Sequence, residues 1–234
     1  MIITIDGPSA SGKSSLARSL AKRLFYYYLY SGLLYRGCAY VLMKYGNYSK
    51  HTIRGATPHD VSELCNSKRI LYSYNYTDGE RLFFDGADIT RHLKTPLIDD
   101  CSSLISTVPA IREEVRIIQH MLAAQQENLI ADGRDMGTIA FPHADVKFFL
   151  TASVEVRAER WRLDQEKRGN AVTHAQAVEQ LSERDRRDTI RYYSPLAVAP
   201  DAIMIDNSAL SAEQTCALCE RYLERHAFTI IKLR

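Results

Sequence analysis

Met1-Ile-Ile-Thr-Ile5-Asp6, then Gly7-Pro8-Ser9-Ala10-Ser11-Gly12-Lys13-Ser14, then Ser15-Leu16 running on to Leu24, is the stretch that decides the fold. The opening residues form an apolar, β-branched run that predicts a strand. Leu16, Leu20 and Leu24 recur at helical spacing. Between the two lies G-x-x-x-x-G-K-[ST], in the strand-then-helix context that this motif requires. Its glycines let backbone N–H groups turn inward around phosphate oxygens, and the helix that follows adds the positive end of its dipole. Lys13 is placed to neutralise the outer phosphates of ATP, and the Ser14 hydroxyl to reach Mg2+. Gly7, Pro8, Ser9, Ala10, Ser11, Gly12, Lys13, Ser14 and Ser15 are therefore the expected ATP-binding residues, with Ser14 the metal contact.

Similar strand-then-helix units are predicted at Leu129–Asp132, at Val146–Leu150 before a charged helix, and at Ala202–Ile205 before Ala212–Arg225. Strands alternating with helices imply a parallel sheet covered on both faces, an α/β fold of the P-loop NTPase type. Between Ile70 and Thr90 the texture changes to alternating aromatic and β-branched residues broken by Asp78-Gly79 and Asp85-Gly86, which predicts a small antiparallel β insertion. Tyr72, Tyr74 and Tyr76 alternate there as one strand face would, with a base-stacking surface the alternative reading. From Pro96 to about Gln126 the pattern is helical again, with Pro109 placed to open a second helix.

Apolar residues make up 46% of the 234 and charged residues 25%, enough for a full hydrophobic core. One core with insertions is expected. The formal charge of +2 is too small for an electrostatic nucleic-acid binder. No apolar run approaches the length of a membrane span and the N-terminus carries no signal-peptide pattern. A cytoplasmic protein whose partners are small molecules, with no nucleic acid and no membrane, is expected. Cys38, Cys65, Cys101, Cys216 and Cys219 are an odd, scattered set, which argues against a disulfide framework. Cys216 and Cys219 form a C-x-x-C pair without a second pair, and read as buried helix residues.

The phosphate loop does not identify the acceptor, because GTPases, transporters and small-molecule kinases share it. No N-K-x-D guanine-reading segment is present, and the many arginines outside the loop favour an anionic acceptor. Leu129-Ile-Ala-Asp-Gly-Arg-Asp-Met-Gly-Thr138 packs two carboxylates and an arginine into a loop at a strand's carboxyl end, where open α/β sheets bind ligands. This segment resembles the signature of bacterial cytidylate (CMP/dCMP) kinases, of the nucleoside monophosphate kinase group. So do Ser31-Gly-Leu-Leu-Tyr-Arg36 and Glu183-Arg-Asp-Arg-Arg-Asp188 with Arg191 beyond it. With the phosphate loop, the four matches come in that family's order and spacing and span essentially the whole chain.

The resemblance implies a core at 1–59 and 96–234, a monophosphate-binding insertion at 60–95 and a helical lid near 153–170, in a monomer. It implies transfer of the γ-phosphoryl group of ATP to CMP or dCMP, with Mg2+. Arg36 and Arg134 resemble clamps on the acceptor phosphate, a task suited to the guanidinium fork. Ser103, Arg112 and Asp135 resemble the cytosine-reading group, Arg184 and Asp188 the groups that hold the sugar, and Ser31 and Arg191 further acceptor-site residues. Asp132 ends its strand as a magnesium-organising carboxylate would. Lys13, Arg36, Arg134 and Asp132 form the implied catalytic set. Arg157, on the implied lid helix that also carries Arg160, Arg162, Lys167 and Arg168, joins the ATP-binding residues; the alternative for that helix is a solvated face laced with Glu–Arg pairs.

The chain also departs from the family. An aspartate usually precedes the Ser-Gly pair, whereas Tyr30 stands here, and a phenol cannot replace a carboxylate's charge; Asp132 or Asp6 would have to serve. The loop carries Ala10-Ser11 and Ser14-Ser15 where relatives often have more glycine and a Gly-Thr pair, but its hydroxyls and Lys13 remain. Two other readings stay open. One is a shikimate-like or dephospho-coenzyme A-like kinase on the same core, and the other a nucleotide-binding protein without turnover.

Overall fold

The computed structural model describes residues 1–232, with side chains described through Arg225. In chain order the elements are β1 (Ile2–Asp6), α1 (Lys13–Leu24), β2 (Tyr27–Tyr30), α2 (Ser31–Tyr45), α3 (Pro58–Leu64), β3 (Ile70–Asn75), β4 (Gly79–Phe84), β5 (Ala87–Asp88), α4 (Pro96–Ile105), α5 (Pro109–Ala124), β6 (Leu129–Asp132), β7 (Val146–Thr151), α6 (Val154–Lys167), α7 (His174–Ile190), β8 (Ile203–Asp206) and α8 (Ala212–Lys232). Parallel strands flanked by helices, with a small antiparallel sheet, make the α/β class expected from the sequence. The chain forms two compact units: Met1–Tyr26 with Gly133–Ile190 and Ser194 onward, and Tyr27–Asp132 with Arg191–Tyr193.

In the first unit β1 pairs in parallel with β7, Ile3 opposite Val146 through Asp6 opposite Phe149, and β7 pairs in parallel with β8. Val146 to Leu150 are all buried, as in a parallel strand covered on both faces. Lys147 among them has its buried ammonium satisfied by the Pro142 carbonyl at 2.7 Å and Asp201 at 2.9 Å. Helices α6 and α7 pack through Ala158, Ala177 and Leu181, and Ala10 of the phosphate loop rests on that cluster. The contact rationalises a non-glycine residue at φ 58: the methyl group is partly buried against the cluster, which offsets part of the left-handed strain. Cys216 and Cys219 are buried in α8, as expected.

In the second unit β2 pairs in parallel with β6, Tyr27 opposite Leu129 through Tyr30 opposite Asp132. Strand β2 is not among the strands expected from the sequence, where these tyrosines registered only as a departure from a motif. Aromatic residues suit a pleated surface, and Tyr72 of β3 explains how this strand is held. Its hydroxyl accepts the Tyr30 N–H at 3.0 Å and donates to the Tyr28 carbonyl at 2.9 Å, so one side chain satisfies backbone groups on the side of β2 away from β6. Tyr28 stacks on Tyr30 at 6.4 Å and 10°, and Tyr74 meets Tyr28 edge-on at 5.7 Å.

Strands β3, β4 and β5 form the expected antiparallel sheet, with Ile70 opposite Phe84 and Phe84 opposite Ala87. Asp85 and Gly86 join β4 to β5 at φ 48 and 79, the two left-handed residues that a tight hairpin demands. Helices α3, α4 and α5 each open on a proline in the first turn, where its missing N–H costs nothing. Thr57 and Thr95 cap the first two, each accepting an N–H three residues on.

Candidate active site

In the first unit the chain leaves β1 at Asp6 and turns at Gly7, whose φ is +146 and where an added Cβ would lie 2.0 Å from the Leu150 carbonyl oxygen. Only glycine fits so close to a neighbouring strand. Gly12, at φ +94, leads into α1, which starts at Lys13. The buried Lys13 ammonium donates to the Pro8 carbonyl at 2.5 Å and to the Ser11 hydroxyl at 3.3 Å, so it is wrapped by the loop it serves. Ser14 is half-buried in the first turn of α1 and Ser15 exposed.

Ser9, at the crown of the loop, is gripped at all three of its polar groups. Its N–H donates to Asp185 Oδ1 at 2.9 Å, its carbonyl accepts from Arg157 Nη1 at 3.1 Å, and its hydroxyl accepts from Arg134 Nη2 at 3.0 Å. Arg157 is also ion-paired with Asp185 and donates to the Ala152 carbonyl. Arg134 donates its Nε to Asp188 at 2.8 Å. Four expected residues, Ser9, Arg134, Arg157 and Asp188, thus come together around one loop. Arg184 is half-buried on the same helix, α7. On α6 and its C-cap, Arg162 and Arg168 make the solvated pairs of an ordinary helix face, with Glu159, Glu166 and Asp164. Arg157 and Arg160 instead turn to the loop and to Asn207.

Asp185 and Asn207 are absent from the residues expected from sequence. Asp185 lies three residues before Asp188, and that i, i+3 spacing on one helix face was a readable signal. Asn207, just past β8, donates to the Ser11 carbonyl at 3.0 Å and accepts from Arg160; only its place at a strand's carboxyl end marks it. Asp6 is buried and takes the N–H groups of Met136 at 2.9 Å and Gly137 at 2.7 Å, one on each oxygen. Burial pushes its carboxyl up to about 6, with Asp135 adding to the rise and the two N–H donors and Lys13 opposing it. Asp6 thereby fastens the π-helical turn of Met136–Ala140, next to Asp135, which is buried and whose carbonyl accepts from Ile139 and Ala140.

In the second unit Asp132 ends β6 at 1% exposure and accepts a 2.7 Å hydrogen bond from the Tyr28 hydroxyl. Ser31 opens α2 and its hydroxyl accepts from Gln119 at 3.0 Å. Arg36 is paired with Asp99 at 2.5 Å, its guanidinium 5.7 Å from the Tyr30 ring centre. Arg112 donates to the Ser106 carbonyl at 2.9 Å and Arg191 to the Ser106 hydroxyl at 3.3 Å, and that hydroxyl donates to the Ser103 carbonyl at 2.8 Å. Ser103, Arg112 and Arg191 therefore converge on Ser106, a residue not expected from sequence; Gln119 is another. The Ser103 hydroxyl is buried with no hydrogen-bond partner among the described residues. Leaving it so costs about 1–3 kcal/mol, and a ligand's polar group would recover that.

The pattern of the family described as Cytidylate kinase matches residues 3–225. A cytidylate kinase of Actinobacillus succinogenes is 36% identical over 225 residues, covering 96% of this chain and 98% of that protein. One of Bradyrhizobium diazoefficiens is 38% identical over 213 residues, 91% of each. Among solved structures, an uncharacterized protein from Eubacterium ventriosum shares the fold alone, with a TM-score of 0.50 and 12% identity over 96% of this chain and 98% of that one. The match over residues 3–225 spans the phosphate loop, the loop after β6 and α7, and the chain belongs to the cytidylate kinase family.

Proposed function

We propose that this chain transfers the γ-phosphoryl group of ATP to CMP or dCMP, releasing ADP and the corresponding diphosphate. The observation that carries the reading is the reach of Arg134 from the loop after β6 to Ser9 in the phosphate loop, 3.0 Å away, while Asp188 holds its Nε. A guanidinium expected to grip the acceptor phosphate stands beside the loop expected to hold the donor. Phosphoryl transfer needs little more than such positioning and charge. An acceptor phosphate oxygen attacks the γ-phosphorus in line, the bond to the β–γ bridging oxygen breaks, and ADP leaves.

Lys13 would leave its contacts in the loop for the β- and γ-phosphates, and Arg157 would add charge on the donor side. Arg36 and Arg134 would hold the acceptor phosphate, Ser103, Arg112 and Asp135 read the base, and Arg184, Asp188, Ser31 and Arg191 complete the acceptor contacts. Magnesium, when bound, would supply charge to the β- and γ-phosphate oxygens. The Ser14 hydroxyl and the Asp132 carboxylate are hard oxygen donors of the kind that ion takes alongside substrate phosphates. The core at 1–59 and 96–234, the insertion at 60–95, the lid near 153–170, the monomer and the cytoplasmic location belong to the same proposal.

A coupled ADP-release assay with ATP and magnesium, offering CMP, dCMP, UMP, AMP, GMP and shikimate separately, tests it. CDP or dCDP formation confined chiefly to the first two is expected. Turnover of shikimate, or of purine monophosphates alone, would overturn the assignment, and ATP binding with no turnover of any acceptor would favour a nucleotide-binding protein.

A further inference from the structure

Asp6 closes β1 and the phosphate loop begins at the next residue, yet the proposed transfer makes no use of its carboxylate. We infer that Asp6 is a positioning residue for phosphoryl transfer: its carboxylate ties the segment carrying Arg134 and Asp135 to the strand from which the phosphate loop departs. The inference rests on the acceptor roles proposed for those two residues.

Both oxygens of Asp6 are spent on backbone donors, the Met136 N–H at 2.9 Å and the Gly137 N–H at 2.7 Å. These two groups lie at the start of the π-helical turn, where the turn itself supplies no partner, and bonds to a carboxylate hold them firmly. At the other end of the segment the Gly133 N–H donates to the Ile5 carbonyl at 3.1 Å. Arg134 and Asp135 therefore sit on a short span of chain pinned to β1 on both sides. Gly137 packs so closely that an added Cβ would be 2.9 Å from Thr4 Oγ1 and 3.1 Å from Lys147 Cδ, so the span has no room to drift toward the sheet. The anchor is rigid too: Asp6 is 4% exposed and pairs with Phe149 of β7. From the pinned span the Arg134 guanidinium reaches the Ser9 hydroxyl at 3.0 Å. One residue thus sets how far the acceptor arginine stands from the donor loop, and a misplacement of about 1 Å costs about 100-fold in rate. Fold stability does not account for the carboxylate. Burial raises its carboxyl from 3.8 to about 6, Asp135 adds to the rise, and the two N–H donors and Lys13 oppose it. The stability it contributes is therefore present below pH 4 and lost as pH rises through 6. The ionised form, which makes both bonds, is the one the fold favours less.

The experiment compares wild type with Asp6→Asn at pH 5 and pH 8, reading kcat at saturating ATP, magnesium and CMP, ATP affinity by calorimetry and stability by urea unfolding. Asparagine keeps the shape but offers one acceptor oxygen, and its NH2 group faces an N–H, so one bond is lost. Protonation of the wild-type carboxyl replaces an acceptor by a donor in the same way. The wild-type kcat should be about tenfold above the variant's at pH 8 and within about twofold of it at pH 5; the ratio cancels the titration of the substrates. The stability difference between the two should run the other way, smaller at pH 8 than at pH 5, with ATP affinity within about threefold throughout. A rate ratio that follows the stability difference would mean that Asp6 only holds the fold together. ATP affinity falling as far as kcat would place its effect in the phosphate loop, and either result overturns the inference. If the wild type converts neither CMP nor dCMP, the acceptor assignment falls by itself and amide exchange decides the tie. Protection of the Met136 and Gly137 amides should drop about tenfold in Asp6→Asn at pH 8, and unchanged protection would overturn it.

Discussion

Replacing Gly7 by alanine should separate the phosphate loop's geometry from its chemistry. The new Cβ would sit 2.0 Å from the Leu150 carbonyl oxygen, 3.0 Å from that carbonyl carbon and 3.3 Å from the Ser11 hydroxyl. A carbon and an oxygen need over 3 Å, so one side must retreat by roughly 1 Å. Strand β7 cannot give way, because it is hydrogen-bonded to β1 on one side and β8 on the other; the loop must move. At φ +146 the alanine also carries backbone strain of about 1–3 kcal/mol. A shift of about 1 Å in a positioned group costs about 100-fold, so ATP affinity should fall about 100-fold by calorimetry while urea unfolding shows a loss of about 1–3 kcal/mol. Gly79→Ala is the control: its φ is +76 with nothing within 4 Å, so it should cost about 1 kcal/mol of stability and leave ATP binding unchanged. Gly7→Ala protein that binds ATP within threefold of wild type would refute the steric reasoning.

Lys13→Ala should abolish transfer, measured as ADP release, because the loop's one ammonium is lost from the phosphates. Arg112→Ala should mainly raise the KM for CMP and relax the choice among pyrimidine monophosphates, which a competition assay reads directly. Asp185→Ala should cost about 2 kcal/mol in urea unfolding, less than a fully buried pair because Asp185 is 17% exposed, and should weaken ATP binding about tenfold; unchanged binding would show that Ser9 needs no anchor. Asp6 has its carboxyl raised from 3.8 to about 6, so the folded state holds this proton more tightly than the unfolded. The stability it adds below pH 4 is lost as pH rises through 6. The stability of wild type minus that of Asp6→Asn should therefore fall by up to about 3 kcal/mol from pH 4 to 7, and a flat difference would show that Asp6 stays ionised throughout.

What was legible in the sequence was what local pattern encodes. The phosphate loop declared itself through spacing, α4 and α5 through Pro96 and Pro109, and the small sheet through Asp78-Gly79 and Asp85-Gly86. Strand β2 was not legible, because Tyr27–Tyr30 is too short to show a period and depends on a hydroxyl some forty residues away, on Tyr72. Asp185, Asn207, Ser106 and Gln119 escaped for a related reason. Each acts by touching a residue distant in sequence, Asp185 on Ser9 and Gln119 on Ser31; spacing marks the helix face of Asp185 but not the contact it makes. The motif at 129–138 located Arg134 and Asp135 but gave no hint that the neighbouring Asp132 is bonded to Tyr28.

The arginines suggest how such a site tolerates itself before a ligand arrives. Arg36 is paired with Asp99, Arg134 with Asp188 and Arg157 with Asp185, so each of three residues proposed to hold phosphate already faces a carboxylate. The Arg36–Asp99 pair keeps the most solvent access, at 15% and 23% side-chain exposure, so its guanidinium is released to a phosphate at a lower cost than a fully buried pair would exact. A phosphate carries more charge than a carboxylate and accepts the guanidinium fork at two oxygens, so it can win the exchange, whereas a stray monoanion gains nothing over the aspartate it displaces. The aspartates then act as selectivity elements: each subtracts a carboxylate's worth of affinity from every anion, and only a ligand with phosphate charge in the right place retains a surplus. Asp99→Asn should consequently tighten binding of inorganic phosphate, sulfate and CMP by a similar factor, as competition titrations would show. Unchanged affinity for all three would mean that Asp99 only holds Arg36 in place.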